Sequence, residues 1–292
     1  MKIKNIYLLI PLYNDWISLK KLLFKINKNV KNIKANFNIL VVNDCSSQKF
    51  KRSKYKFDNL KSIKIINLKK NIGHDRAIAL GLNVLFKKKS FDYVITMDSD
   101  GEDNPIYIKS LINKIDDDKN LIIVTKRKQR SVSMLFNILY YLHLTILYTF
   151  VSKWINFGGY NCLSKDAVKN LIKERTLWGN YSATIANSNK KIKYLETDRS
   201  KRYHGPSQMN YFKLFLHSLS ILAVFKKIII IRILLLSLLN LMIIFFFKHL
   251  IYYIPLIILL LLATMVLMMS LRENNLWQSH AAKNILSINK FE

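Results

Sequence analysis

Asp98-Ser99-Asp100-Gly101-Glu102-Asp103 places four carboxylates directly behind an apolar run at residues 93–97. The run reads as a buried strand, and Gly101 permits a sharp exit from it. Asp98 and Asp100 are two residues apart, so in a continuing strand they would point the same way. Crowded carboxylates repel one another unless something positive sits among them. A divalent cation holding a diphosphate suits such a cluster, because Mg²⁺ and Mn²⁺ take hard oxygen ligands. A solvated acidic turn after a strand is the alternative reading of these six residues alone. A second charged group, Lys126-Arg127-Lys128-Gln129-Arg130, follows another apolar run. Arg127 and Arg130 have the fork geometry that holds phosphate oxygens; a solvated or lipid-facing basic face would use the same residues.

The elements that would position these groups alternate. Apolar runs at 6–11, 39–42, 63–68, 93–97 and 121–125 read as strands, and the spacing at 16–26 and 74–86 predicts helices. Such alternation implies βαβ units and a mostly parallel sheet. Ligands bind these sheets at the carboxyl ends of the strands. Each strand here ends in polar residues: Asn14 and Asp15, Asn43 and Asp44, Asn71, Asp98 and Asp100, Arg127. Their convergence on one mixed-charge site is the stronger argument. Gly73 fits a tight turn into a helix whose N-terminus favours anions, or a plain helix start.

Beyond residue 205 the chain changes character. Residues 228–247 and 251–270 are apolar runs long enough to cross a bilayer as helices, joined by a tight hairpin. Arg232 lies close enough to the start of the first run to snorkel. Residues 207–227 repeat polar positions at steps of three and four, which predicts an amphipathic interfacial helix. Residues 131–152 carry no charge and read as an interfacial or core helix rather than a span. The net charge is +29 over 292 residues, yet 51% of the chain is hydrophobic and mean hydropathy is +0.10. That balance suits a membrane protein better than a nucleic-acid binder, and no nucleic-acid partner is expected. Lys226 and Lys227 before the first run, and Arg272, Lys283 and Lys290 after the second, place both termini in the cytoplasm. Cys45 and Cys162 show neither metal spacing nor a disulfide framework. No secretory signal, internal repeat or low-complexity linker is expected. The expected division is a cytoplasmic catalytic domain at 1–205, an interfacial helix at 206–227, a transmembrane hairpin at 228–270 and a cytoplasmic tail at 271–292, in the inner or plasma membrane.

Five segments in order carry a resemblance: Ile10-Pro11-Leu12-Tyr13-Asn14-Asp15, Val41-Val42-Asn43-Asp44-Cys45-Ser46-Ser47, Asn71-Ile72-Gly73-His74-Asp75-Arg76-Ala77, Asp98 through Pro105, and Arg202-Tyr203-His204-Gly205-Pro206-Ser207. Together with the two apolar runs they resemble the family-2 glycosyltransferases that load a sugar onto polyprenyl phosphate, the group of dolichyl-phosphate mannose synthase and the bacterial undecaprenyl-phosphate glucosyltransferases. The resemblance covers about residues 5–270. It implies a GT-A-like α/β fold, a UDP- or GDP-sugar donor, a polyprenyl phosphate acceptor, inversion at the sugar, and Mg²⁺ or Mn²⁺ held by Asp98, Asp100 and Glu102. It implies a catalytic set of Asp98, Asp100, Arg127, Arg130 and Arg202. Pro11, Tyr13, Asn14, Asp15, Asp44, Asn71, Gly73 and Ser207 would bind substrate, with Tyr13 and Asp44 on the nucleoside and Arg202 and Ser207 closing the acceptor side. His74 and Asp75 have no assigned role. Gly158, Gly159 and Tyr160 line the acceptor side in the family or start an edge strand, and Trp178 reads equally as a sugar-side aromatic or as core. Glu102 replaces the family's Gln, and Gln208 stands where the family carries Lys. The departure at 208 leaves room for another lipid-linked or glycan acceptor, a non-catalytic membrane scaffold is the further alternative, and the sequence leaves a homo-oligomer open.

Overall fold

A computed structural model describes residues 3–48, 55–88, 91–115, 118, 120–127, 134–188, 190–206, 210–271, 273 and 276–291. The chain begins with β1 (Lys4–Leu12), α1 (Trp16–Val30), β2 (Ala35–Asn43), β3 (Ser62–Leu68), α2 (His74–Lys88) and β4 (Tyr93–Thr96). There follow α3 (Ile108–Asn113), β5 (Ile122–Arg127), α4 (Met134–Val151), β6 (Phe157–Ser164), α5 (Lys165–Leu171), α6 (Tyr181–Asn187) and β7 (Ile192–Thr197). The last elements are α7 (Tyr211–Val224), α8 (Lys226–Phe247), α9 (Tyr253–Ser270), α10 (Leu276–Lys283) and β8 (Ile285–Lys290).

The eight strands form one sheet in the order β7-β5-β6-β4-β1-β2-β3-β8. The pairs β1–β2, β1–β4, β2–β3 and β5–β7 are parallel; β4–β6, β5–β6 and β3–β8 are antiparallel. The sheet is buried on both faces, and the central strands show it residue by residue. Ile6, Leu8, Ile10 and Leu12 of β1 enter one apolar cluster with Leu19, Leu22, Leu23 and Ile26 of α1. Leu9, between them, enters the other cluster with Ala77, Ile78 and Leu80 of α2. The period of two sends alternate side chains to opposite faces, and helices cover both. A Cβ on Gly81 would lie 2.3 Å from Leu9 Cδ1, so glycine permits the close approach of α2 to the sheet.

The chain divides into two compact units: residues 1–131, 156–208 and 275–292 form one, and 132–155 and 209–274 the other. The division differs from the expected one in two places. α4 belongs with α7, α8 and α9, and the segment expected as a cytoplasmic tail supplies β8 to the sheet of the first unit. The physical reason for the second difference is the outer edge of β3, whose unpaired backbone groups β8 satisfies from Lys64 to Leu68.

In the second unit, α8 turns Ile229, Ile233, Ser237, Asn240 and Ile244 inward at steps of three and four. Its remaining apolar side chains, among them Leu234, Leu235, Leu238 and Phe245, are exposed, as are Ile254, Ile257, Leu261 and Met268 of α9. α8 and the stretch 250–270 are each long and apolar enough to cross a membrane. Lys226 Nζ lies 2.9 Å from Glu273 Oε2, joining the start of α8 to the residue just past α9. Arg232, near the start of α8, has protein partners. Its guanidinium donates to Thr149 O (2.7 Å) and Ser152 Oγ (2.9 Å), serving the last carbonyls of α4 where cations are favoured.

Connectivity limits how these helices meet a bilayer. β5 and β6 are hydrogen-bonded neighbours, so α4 between them cannot make a single crossing. β7 and β8 flank α7–α9 and lie in the same sheet, so that stretch contains an even number of crossings or none.

Candidate active site

The parallel strands β3-β2-β1-β4 deliver their carboxyl ends side by side, and the loops that follow them hold one another. At the β1 end, Asn14 has φ 52 and its Oδ1 accepts from Ser47 N (2.9 Å) and Ser47 Oγ (3.1 Å). Its own N–H donates to Ser46 Oγ at 2.9 Å, so the loops after β1 and β2 are tied together. At the β2 end, Asp44 is only 3% exposed. Its carboxylate accepts from Ile72 N at 2.7 Å and Gly73 N at 2.8 Å, fixing the turn into α2. Burial pushes the Asp44 carboxyl upward in pKa, and the two N–H donors with the nearby His74 and Arg76 charges oppose that shift.

β4 ends at Thr96, before the acids. Residues 98–103 therefore form a turn, and the alternation expected of a continuing strand does not apply to Asp98 and Asp100. Asp103 Oδ2 accepts from Asp98 N at 2.9 Å, and Asp100 Oδ1 from Glu102 N at 3.0 Å, so the acids shape their own loop. Gly101 has φ +87, and a Cβ there would fall 2.2 Å from the Tyr203 ring. Only glycine allows both the left-handed backbone and that ring beneath it.

Each of the three foremost acids meets a cation. Asp98 Oδ1 lies 2.7 Å from His74 Nε2, Asp100 Oδ2 lies 3.0 Å from Arg202 Nη1, and Glu102 pairs with Arg199. Arg202 Nη2 also reaches Asp15 Oδ2 at 2.7 Å, and its Nε donates to His204 O at 3.0 Å. The segment 200–203 is held against the turn by backbone bonds as well, Ser200 N to Glu102 O (3.0 Å) and Tyr203 N to Asp100 O (2.9 Å). Burial and the Asp98 charge push the Asp100 carboxyl up to about 6, against the opposing pull of Arg202 and Arg199. Burial lowers the His74 imidazole, but Asp98, by charge and hydrogen bond, with Asp75 and Asp103, raises it to about 9. The ring is 49% exposed, so the carboxylate partner rather than burial sets the direction.

With this geometry in place, comparison with known proteins decides the family. The profile of glycosyl transferase family 2 matches residues 7–219. The chain belongs to glycosyl transferase family 2. It is 25% identical over 225 residues to an uncharacterized glycosyltransferase of Synechocystis, covering 73% of this chain and 66% of that protein. It is 28% identical over 134 residues to the undecaprenyl-phosphate 4-deoxy-4-formamido-L-arabinose transferase of Proteus mirabilis, covering 45% and 40%. The chain thus spans 40% to 66% of the length of these two relatives. Among solved structures, glucosyl-3-phosphoglycerate synthase of Mycobacterium tuberculosis with Mn²⁺, UDP-glucose and phosphoglyceric acid superposes with a TM-score of 0.55. The match covers 77% of this chain and 80% of that one at 11% identity, which shows a shared GT-A-like fold.

As a family-2 glycosyltransferase, the chain gathers most of the residues singled out in its sequence. Asp15, Asp98, Asp100, Glu102 and Arg202 come together around the acidic turn, and Asp44, Asn71 and Gly73 around the entry to α2. Asn71 Nδ2 donates to Asp44 O at 3.2 Å. Tyr13 is 52% exposed and stands on the rim. The remaining residues take different places. Pro11 is a buried member of β1 opposite Val42 and offers no side chain to the site. Both Asp44 oxygens already hold backbone N–H groups, so any bond to a base uses their remaining lone pairs. The Arg202 guanidinium is engaged by two carboxylates, those of Asp15 and Asp100. Arg127 ends β5 opposite Thr197, and Arg130, Ser207 and Gln208 lie outside the described residues. Trp178 is core at 2% exposed.

Arg199 is the residue that sequence reasoning passed over; Tyr203 and Asp103, quoted there without a role, also complete the acidic turn, and a Cβ on Gly159 would sit 3.6 Å from Asp98 Oδ1. His74 was visible inside its motif without an assigned role. Asp75 proves structural, its Oδ1 accepting from Tyr181 N at 3.0 Å at the start of α6.

A divalent cation fits this donor set. Four carboxylates share six residues, and burial with the neighbouring Asp98 charge holds the Asp100 carboxyl above its ordinary value. Among the described residues no three His, Cys, Asp or Glu side chains form a cage for a metal. Mg²⁺ and Mn²⁺ commonly take one or two carboxylates and complete their shell with substrate phosphates, so the residues that would hold such an ion are Asp98 and Asp100.

Proposed function

We propose that this glycosyltransferase moves one sugar, with inversion, from a UDP- or GDP-sugar to polyprenyl phosphate at a membrane, its sheet domain in the cytoplasm. The acidic turn at the carboxyl end of β4, beside the N-terminus of α2, is the observation that carries the reading. Gly73 at that N-terminus has open space around it, so a diphosphate oxygen can approach the backbone closely. Asp98 and Asp100 would hold Mg²⁺ or Mn²⁺, which when bound neutralises charge developing on the leaving nucleoside diphosphate. Tyr13, on the rim, is available to the nucleoside. Asp44 sets the height of the α2 turn beneath the phosphates. A phosphate monoester acceptor is already anionic at neutral pH and needs positioning more than a strong general base. Arg127 and Arg130 are the cations assigned to that task, with Ser207.

The Proteus relative named for undecaprenyl phosphate and the two long apolar helices support a lipid acceptor. That β7 and β8 share one sheet supports a two-crossing hairpin with the sheet domain on one side. The departure at Gln208 favours, as second reading, a different lipid-linked or glycan acceptor. Transfer of radiolabelled sugar from UDP- and GDP-sugars to short polyprenyl phosphates, by the full chain in detergent with Mn²⁺, decides between them. A chloroform-soluble, acid-labile product is expected with one nucleotide class. Absence of product with every donor, together with labelling of a lipid-linked glycan, would replace the first reading with the second.

A further inference from the structure

The stretch after the apolar helices is wired into the loops that would hold the donor. Its anchors lie on both faces of the sheet: Ala281 of α10 is fully buried among the α2-side residues, and Phe291 packs at 6.2 Å from Phe57 on the α1 side. Between these anchors, two side chains reach inward. Asn284 clasps the loop after β3 three times: its O accepts from Lys69 N (2.9 Å), its Oδ1 accepts from Lys70 N (3.1 Å), and its Nδ2 donates to Lys70 O (3.0 Å). Ser287 Oγ accepts from Asn67 Nδ2 at 3.0 Å. Asn67 Oδ1 in turn accepts from Asn43 Nδ2 at 2.8 Å, and Asn43 Oδ1 accepts from Ser46 N at 3.1 Å. Cys45 Sγ closes the circuit on Lys69 O at 3.3 Å.

Both loops held in this way are those of the nucleoside side. One carries Asp44; the other carries Asn71 and the Ile72 and Gly73 N–H groups that Asp44 accepts. A plain edge strand would need neither Asn284 nor Ser287: backbone pairing with β3 and the two buried anchors already hold β8. The Asn284 amide adds two bonds to a loop that has, among the described residues, no other partner strand at that point. The polar relay Ser287–Asn67–Asn43 crosses three adjacent strands at the carboxyl ends of β2 and β3, with Ser287 in the amino-terminal half of antiparallel β8. We propose that Asn284 and Ser287 are positioning residues for the donor nucleotide, fixing through the 43–46 and 69–73 loops the turn on which its nucleoside and diphosphate rest. The inference deepens the donor-site reading above and rests on it. It also explains why β8, distant in sequence from every motif, is part of the transferase domain.

The test uses the full chain in detergent with Mn²⁺. Binding of UDP and of GDP is measured by calorimetry for the wild type, Asn284→Ala, Asn284→Asp and Ser287→Ala, alongside melting temperature and, for the transferase reaction, donor and acceptor KM and kcat. The clasp predicts a dissociation constant for the preferred nucleotide raised about five- to tenfold in Asn284→Ala, the effect of one to two hydrogen bonds, and about threefold in Ser287→Ala. Asn284→Asp, which keeps the acceptor for Lys70 N, recovers part of the loss. Donor KM rises in parallel while kcat and acceptor KM hold. Unchanged nucleotide affinity in the variants, with the wild type binding normally, overturns this inference alone. A uniform fall of kcat and both KM-derived efficiencies with melting temperature also overturns it, since a purely structural strand would give that result. A wild type that binds neither nucleotide overturns the donor-site reading and the inference together. Should Asn284→Ala fail to fold, Ser287→Ala, which removes one hydroxyl from an edge strand, decides the question by the same affinity and KM readouts.

Discussion

Asp98→Asn lowers the rate of sugar transfer about a hundred- to a thousandfold while leaving the melting temperature within about 2 °C of the wild type, measured by single-turnover transfer and differential scanning fluorimetry. The substitution keeps the shape of the side chain and an oxygen to face His74 Nε2, now at 2.7 Å from Oδ1. The backbone N–H of residue 98 still donates to Asp103, so the turn keeps its form. What disappears is one negative charge beside Asp100, which relieves repulsion in the fold and weakens the hold on a divalent cation. Loss of activity without loss of stability is therefore the signature of a metal-holding carboxylate. Equal loss of both would mark Asp98 as structural.

Arg202→Lys is nearly as damaging as Arg202→Ala, in both cases a loss of activity of at least about fiftyfold, because the effect resides in the fork and not in the charge. One guanidinium links Asp15, after β1, to Asp100, after β4, and reaches the His204 carbonyl with its third nitrogen. An ammonium cannot span both carboxylates. Arg202 is 20% exposed and its partners 8% and 16%, so the pair is largely withdrawn from solvent. Stranding two such acids costs about 3 kcal/mol, the lower end of the range for breaking buried pairs. Urea denaturation of the two variants checks the stability change, and the transfer assay checks the rate. Full activity in Arg202→Lys would show that charge alone is needed there.

Much of this was legible in the sequence because it rests on local rules. Strand and helix alternation follows from apolar runs and their spacing, and the polar residues at strand ends pointed to one site before any coordinates. The acids at 98–103 were recognisable for the same reason: they break an apolar pattern abruptly. The residues that escaped notice act across the chain. Arg199 and Tyr203 matter only because the 199–203 segment lies against a turn about a hundred residues earlier, and no spacing rule connects them. His74 sat inside a quoted motif, yet its partner is Asp98, on another strand end. The sheet's antiparallel members, β6 and β8, depend on which edges stay open after the parallel core forms, which is a property of the whole assembly. The alternation in Leu286-Ser287-Ile288-Asn289 is too short to announce a strand without the β3 edge to pair with. Arg202 shows a subtler limit. Its motif marked it as important, but only the geometry reveals that its guanidinium holds the site's own carboxylates.

The most direct test is the melting temperature of the full chain with Mn²⁺ and either UDP or GDP. A ligand that binds only the folded state stabilises it by RT ln(1 + [L]/Kd), so one nucleotide at about a hundred times its dissociation constant adds about 2.7 kcal/mol. A clear rise with one nucleotide, abolished by chelating the metal and absent in Asp98→Asn, is the result this site requires. No rise with either nucleotide, or a rise that ignores the metal and survives Asp98→Asn, would contradict it.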